Sequence, residues 1–251
     1  MHRWAQGSLS AATFILFVGI ANIIVPGYGS AQEKTAAAED DQGAAFTEES
    51  ELDPWEPFNE PMFSFNREMD RYILKPVATG YDTVLPDPVQ IGIRNMIDNL
   101  DIVRRLVNNL LQFKLIGAGR EVTRFTVNST VGLVGLFDVA KDGMGIEQSD
   151  EDTGQTLGVW GVGPGPYLVL PFLPVMTVRD GIGMAADAAM NPLNYLAPVP
   201  VGVVPGIKVT EVVNDRSQNL DKFEQVEESV VDLYSAVRNA YLQRRAAAIK
   251  E

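Results

Sequence analysis

The chain has no cysteine, and its one histidine is His2. Without disulfides the fold must be held by core burial or by contacts with a membrane or partner. The same absence removes thiolate zinc sites. Beyond the first residues it also removes imidazole ligands and the Ser-His-Asp and Cys-His triads. A lipid-modified cysteine is missing as well, so no acyl anchor is expected. Positive charge is scarce: 20 Lys and Arg face 33 Asp and Glu, a formal net charge of -13. That balance opposes nucleic-acid binding, which demands cations against phosphate. It equally opposes docking by charge onto an anionic bilayer, so any membrane contact must be apolar.

Signatures of covalent chemistry are lacking too. There is no G-x-S-x-G elbow and no phosphate loop of the G-x-x-x-x-G-K-[ST] type. Gly161, Gly163 and Gly165 resemble part of a dinucleotide fingerprint, but Pro164 and Pro166 prevent the helix such a site requires. Asp150-Glu151-Asp152 offers clustered oxygens of the kind Ca²⁺ takes; a solvated loop or helix start is the better account. Asn128-Ser129-Thr130 fits a glycosylation sequon, a pattern too short to carry weight. A glycosidase needs two carboxylates facing across a cleft, and nothing marks such a pair. No catalytic, cofactor-binding or metal-ligating residue is expected, and the chain reads as non-enzymatic.

What is present begins with residues 1–31. Arg3 precedes a short apolar run at 13–25 (TFILFVGIANIIV), and Gly29-Ser30-Ala31 supplies a small-x-small cleavage pattern. This reads as a secretory signal peptide. As a membrane anchor the run is shorter than the roughly 20 residues a span needs, and Asn22 interrupts it. Residues 32–52 are acidic and Ala/Gly-rich, a composition unable to offset its ordering entropy. They read as a disordered linker to a helical domain at 53–251.

Within that domain Asp53-Pro54 opens a helix, and Asn59 with Pro61 is expected to open a second. Met62, Phe65, Met69, Tyr72 and Ile73 follow helical spacing, and Lys75-Pro76 is expected to end the run. A short helix at 77–84 and a break at Pro86-Asp87-Pro88 follow. Val89, Ile93, Met96, Ile97 and Leu100 share one helix face, and Val103, Leu106, Val107, Leu110 and Phe113 another. Gly117 and Gly119 are expected to separate these from a helix carrying Val122, Phe125 and Val127. Residues 138–152 read as a polar connection. Residues 153–175 are apolar yet rich in Gly and Pro, which forbids a regular helix through them; such a segment is either buried or in contact with lipid. Thr177 caps a helix that Asn191-Pro192 ends, residues 193–205 are again apolar and Pro-broken, and amphipathic helices follow at 207–220 and 229–249. The class is all-α.

Trp55, Phe58, Phe63, Phe65 and Tyr72 fit a helix core. Trp160 and Tyr167 suit either a core or a bilayer interface. Asn66 and Asn109 lie among apolar residues, where each is a hydrogen-bonded helix residue or a polar group lining a lipid path.

Four stretches carry a family pattern: residues 53–100 (DPWEPFNEPMFSFNREMDRY…), 124–140 (RFTVNSTVGLVGLFDVA), 154–183 (GQTLGVWGVGPGPYLVLPFLPVMTVRDGIG) and 233–245 (LYSAVRNAYLQRR). In this order they resemble the MlaA (VacJ) family. The resemblance implies a disk-like or ring-like all-α protein in the inner leaflet of a Gram-negative outer membrane, on its periplasmic side. It implies an amphipathic channel through which mislocalised phospholipids leave the outer leaflet for a soluble periplasmic lipid carrier, and association with a trimeric porin. Family members often carry a lipidated cysteine after the signal sequence, and this chain departs from that pattern. Its apolar helix faces, its Pro-broken segments or a porin would then hold it in the leaflet. The expected lipid-contacting residues are Phe65, Asn66, Trp160, Val162, Tyr167, Leu168, Leu170 and Phe172. Other readings are a structural porin-associated adaptor that conducts no lipid, and a periplasmic hydrolase.

Overall fold

A computed structural model describes residues 53–195 and 203–251. The signal peptide at 1–31, the acidic linker at 32–52 and much of the second Pro-broken segment lie outside the described residues.

The first helix, α1 (Glu56–Met69), has Pro57 in its opening turn. The Asp53 carboxylate precedes it and accepts the Trp55 amide at 2.9 Å. Asn59 does not open a second helix: it lies inside α1 and is fully buried, and Pro61 is accommodated within the same helix. Nor does Lys75-Pro76 end the run. A π turn at Asp70–Leu74 leads directly into α2 (Lys75–Val84), with Pro76 in its first turn. In a regular α-helix the Pro76 ring would meet the carbonyl four residues back; the wider π turn moves that carbonyl aside.

Past the expected break, α3 (Asp87–Leu100) starts at an extended Pro86. The helices α4 (Ile102–Leu111) and α5 (Leu115–Thr130) pack on each other. Gly117 and Gly119 fall inside α5 rather than before it. The polar connection holds a further helix, α6 (Val139–Met144), where Asp138 accepts the Lys141 amide as a cap. Part of the Gly/Pro-rich stretch is also helical: α7 (Thr153–Val159) is capped by Asp152 and ends before the first proline of that stretch, Pro164.

The remainder of that stretch closes into a two-stranded antiparallel ladder. In it β1 (Tyr167–Leu168) pairs with β2 (Met176–Thr177), Tyr167 opposite Thr177 and Leu168 opposite Met176. Thr177 then caps α8 (Val178–Met190), accepting the Asp180 amide, and Asn191 ends it in extended conformation, both as the sequence indicates. The chain finishes in α9 (Val203–Ser217), α10 (Leu220–Ser229) and α11 (Leu233–Lys250). Apart from the short ladder the described residues are all-α, as the periodicity requires.

A small apolar core joins the helix pairs. Phe63 and Leu74 from the N-terminal run meet Tyr167, Val169 and Val175 from the hairpin. Val212 and Val213 from α9 and Leu233 and Tyr234 from α11 complete it. Next to this core α7 and α8 approach at backbone distance: a Cβ on Gly183 would stand 2.2 Å from the Gly154 amide nitrogen. Gly183→Ala is therefore expected to destabilise the fold by about 1–3 kcal/mol through overpacking. Gly119, in a helix with open space around it, is expected to gain about 0.5–1 kcal/mol on substitution by Ala. Denaturant unfolding of the two variants in one detergent checks both signs.

Candidate functional site

Three consecutive helices turn their polar residues inward. On α3, Gln90 and Asn99 are buried while Val89, Ile91 and Met96 are exposed. On α4, Arg105, Asn108 and Asn109 are buried while Val103, Leu110 and Leu111 face out. On α5, Ala118, Glu121, Arg124 and Asn128 recur at helical spacing on the buried face. Leu115, Ile116, Val122 and Phe125 lie on the exposed one. The connecting turns continue the exterior: Phe113 is 86% exposed, Leu133 62% and Val134 71%. These three also hold left-handed backbones, at φ 60, 54 and 62, a conformation costly for bulky non-glycine residues. In water so many exposed apolar side chains on neighbouring helices are unfavourable; they suit an apolar medium. No described helix is long and apolar enough to cross a membrane.

The inward faces pair with one another, leaving Arg105 Nη1, Gln112 Oε1 and Arg124 Nε as buried atoms without a partner. Arg105 donates to Glu121 at 2.7 Å with both side chains buried, and Glu121 also accepts the Ser149 amide at 2.8 Å. Asn109 donates to the Arg105 carbonyl and the Ser149 hydroxyl. Asn108 accepts from Thr156 at 2.7 Å. Glu151 accepts from Gln112, Lys114 and Gln155, and Asp152 caps α7 and pairs with Arg245. The acidic triplet is thus a helix start. Asp180 collects Arg179, Arg245 and the Tyr241 hydroxyl. Burial alone pushes its carboxyl up, but those donors and charges outweigh it and hold it below the usual carboxylate range.

The second feature is the hairpin that follows α7. Asn59 donates to the Tyr167 carbonyl and accepts the Val169 amide, each at 2.9 Å. Asn66 repeats the arrangement two turns later, donating to the Leu170 carbonyl and accepting the Phe172 amide, again at 2.9 Å. The spacing has a geometric reason. Seven helical residues rise about 10.5 Å, and three extended residues advance about 10 Å. Two side-chain amides on one helix face can therefore hold the segment at two points, the second where it turns at Pro171–Phe172. Asp53 supports the first clamp by accepting from Asn59 at 2.9 Å and from the Tyr234 hydroxyl. Burial raises its carboxyl, and the Tyr234, Asn59 and Trp55 donors together with the Arg238 charge lower it below its usual range.

The family model described as MlaA lipoprotein matches residues 51–248, from just before α1 into the last turns of α11. The chain belongs to the MlaA family. Among its relatives, the intermembrane phospholipid transport system lipoprotein MlaA of Escherichia coli is 38% identical over 199 residues, 76% of this chain and 76% of the relative. The protein of the same name from Haemophilus influenzae is 33% identical over 195 residues, with 76% of each chain covered. An uncharacterized protein of Rickettsia felis is 35% identical over 199 residues, 79% of this chain and 78% of the relative. A solved structure described as the structural basis for maintenance of bacterial outer membrane lipid asymmetry matches with a TM-score of 0.69 and 35% identity, covering 79% of this chain and 99% of that one.

In this chain the residues singled out from sequence fall into two groups. Phe65, Asn66, Leu170 and Phe172 come together along the clamp. Asn66 is fully buried, and Phe65, 40% exposed, meets Phe172 edge-on at 5.4 Å between centroids. Leu168 and Leu170 are half-buried on the strip. Tyr167 lies in the core, 6.1 Å from Tyr234 and 6.0 Å from Tyr241. Trp160 and Val162 stand apart on an exposed shoulder, with the Trp160 indole donating to the Leu111 carbonyl. Sequence reasoning missed Asn59 as a clamp, although its seven-residue spacing from Asn66 was a usable signal. The expectation that apolar helix faces meet lipid came from the family resemblance, and periodicity alone did not say which faces turn outward.

Asn66→Ala strands the Leu170 carbonyl and the Phe172 amide together. A loss of about 2–4 kcal/mol is expected, against less than about 0.5 kcal/mol for exposed Glu60→Ala. Chemical denaturation of the detergent-solubilised protein measures the difference.

Proposed function

We propose that this chain helps maintain outer-membrane lipid asymmetry by removing mislocalised phospholipids from the outer leaflet. It lies on the periplasmic side and passes the lipids through an amphipathic channel to a soluble periplasmic carrier, next to a porin trimer. It performs no covalent chemistry. The observation that carries this reading is the inversion across α3, α4 and α5, with apolar residues outside and a hydrogen-bonded polar interior. A protein resting in one leaflet needs apolar surface toward acyl chains, and a lipid path needs polar groups for the headgroup. The names of the Escherichia coli and Haemophilus influenzae relatives, which place those proteins in phospholipid transport, support the same reading.

The exterior is strong enough to hold the chain in a leaflet. Phe113, Leu115, Ile116, Leu133 and Val134 are each more than 60% exposed. Immersing five such side chains is worth on the order of 10 kcal/mol as an upper bound. The helices would lie in the interface rather than span it. The clamped strip, within 162–173, forms part of the lipid-contacting surface through Val162, Leu168, Leu170 and Phe172, with Phe65 on α1 and Trp160 before the strip adding to it. Asn66 and Tyr167 support it from beneath.

The test is mass spectrometry of lipids retained by the protein after mild extraction from outer membranes. Stoichiometric phospholipid is expected with the parent chain. Deleting Pro164-Gly165-Pro166 is expected to remove it while circular dichroism shows the helices intact. A membrane-associated parent chain free of specific phospholipid would replace the conduit with the porin-adaptor reading.

A further inference from the structure

Away from the clamp and the apolar exterior, one corner of the molecule sorts its charges by element. Arg67, Arg71 and Lys75 recur every fourth residue along α1, the π turn and α2. Glu224, Glu227 and Glu228 all stand on α10. These six line a cavity of about 310 Å³ between the two runs. Arg216 and Asp70 line it too, but they pair with each other: the guanidinium donates two bonds to the carboxylate, at 2.8 and 3.1 Å. Outside that pair, every cation at the cavity belongs to the α1–α2 run and every anion to α10. Three cations in one stripe stand out in a chain with 20 Lys and Arg against 33 Asp and Glu, and an acidic helix covers them.

That cover is held lightly. Phe223 is the buried side chain of α10, with the Arg216 guanidinium 4.1 Å over its ring. Val226 and Val230, both partly buried, add apolar contact with the core. Two ion pairs latch the helix across the cavity: Arg67 with Glu227, and Lys75 with Glu224 at 2.5 Å. All four side chains are at least 40% exposed, and pairs of that kind contribute little and weaken with salt. The Lys75 ammonium holds the Glu224 carboxyl below its usual range, so this latch stays charged at neutral pH. Asn219 gives the start of α10 no side-chain cap, and at its end Val230 is extended and Val231 fully exposed. The cavity itself means that the helix does not close-pack on the stripe it covers.

We propose that α10 is an autoinhibitory strap: its carboxylates occupy the Arg67–Arg71–Lys75 stripe, and it lifts when an anionic phospholipid headgroup of the phosphatidylglycerol type takes their place. This rests on the lipid-transport reading and adds a gate to it. Lifting α10 removes Glu224, Glu227 and Glu228 together and leaves the stripe with three cations. A phosphate with no ammonium beside it matches such a stripe, because cations alone offer an ammonium no acceptor. Arg67, Arg71 and Lys75 bind the headgroup, and Glu224 and Glu227 act as the latch.

The experiment joins hydrogen–deuterium exchange with calorimetric titration of the full chain, held in an uncharged amphipol. The probes are dihexanoyl phosphatidylglycerol, dihexanoylglycerol and inorganic phosphate. In Glu224→Gln/Glu227→Gln, exchange across 220–229 is expected to rise roughly tenfold while α9 and α11 keep their rates. Affinity for the phospholipid should rise by about the same factor, because a closed strap lowers apparent affinity by the fraction that is open. Adding Arg71→Gln should cancel that gain. The charge-matched control Glu56→Gln/Glu60→Gln, on α1 and away from the cavity, should change neither reading. All five positions are exposed, so folding is not at stake. If exchange across 220–229 stays at the parent rate, α10 is a fixed helix; the strap is overturned and the transport reading stands. If the helix loosens without a gain in phospholipid affinity over the parent, or the control gains equally, the stripe is not gated and the strap is again overturned. If neither the parent nor the latch variant binds phospholipid, the headgroup assignment and the transport reading fail together. If dihexanoylglycerol or inorganic phosphate gains as much as the phospholipid, acyl chains or free phosphate are what the stripe takes, and the headgroup assignment is overturned.

Discussion

Because α3, α4 and α5 carry their apolar residues on the outside, everything between them must be satisfied by polar contacts. A polar side chain removed from water without a partner costs about 1–3 kcal/mol, and most of the interior pairs accordingly, with Arg105 Nη1, Gln112 Oε1 and Arg124 Nε the exceptions. The result is a chain of mutual donors and acceptors: Arg105 with Glu121, Asn108 with Thr156, Glu151 with Gln112, Lys114 and Gln155. These bonds are directional where apolar contact is not. Buried ionic pairs are weak evidence for stability, but they fix geometry. The Arg105–Glu121 pair therefore sets the register between α4 and α5 more than it adds free energy.

The same constraint explains the Pro/Gly strip. Pro164, Pro166, Pro171 and Pro174 deny it a continuous ladder, and β1 pairs with β2 over only two residues. Its remaining backbone groups still need partners in a partly buried setting. Asn59 and Asn66 supply them from the side, each offering a donor and an acceptor as a neighbouring strand would. A helix with an amide pair two turns apart thus substitutes for a β-strand. The strip leaves the ladder after Leu168 and turns at Pro171–Phe172, where Phe172 takes a left-handed backbone and packs on Phe65.

Much of the helical plan was legible in the sequence, because caps and breaks act locally. Thr177 and Asn191 bound α8 through their own side-chain and backbone preferences, and Pro86 marks the start of α3. Where a tertiary contact decides, sequence reasoning went astray. Asn59 resembles a cap followed by Pro61, but the hairpin draws its side chain inward. Lys75-Pro76 resembles a terminus, but the π turn accommodates it, and the buried Asp70–Arg216 pair holds that turn against α9. The orientation of the helices was also hidden. Periodicity reports that Val89 and Met96 share a face, not whether water, protein or lipid lies beyond it.

On the proposed reading the α4–α5 exterior lies in the acyl region, while exposed Arg71 in the π turn faces water. Site-directed spin labelling of the cysteine-free chain in phospholipid bilayers tests it directly. Labels are placed singly at Ile116, Val134 and Arg71, and accessibility to oxygen and to a water-soluble nickel chelate is compared. The account requires high oxygen and low nickel accessibility at Ile116 and Val134, with the reverse at Arg71. Equal nickel accessibility at all three positions would contradict it.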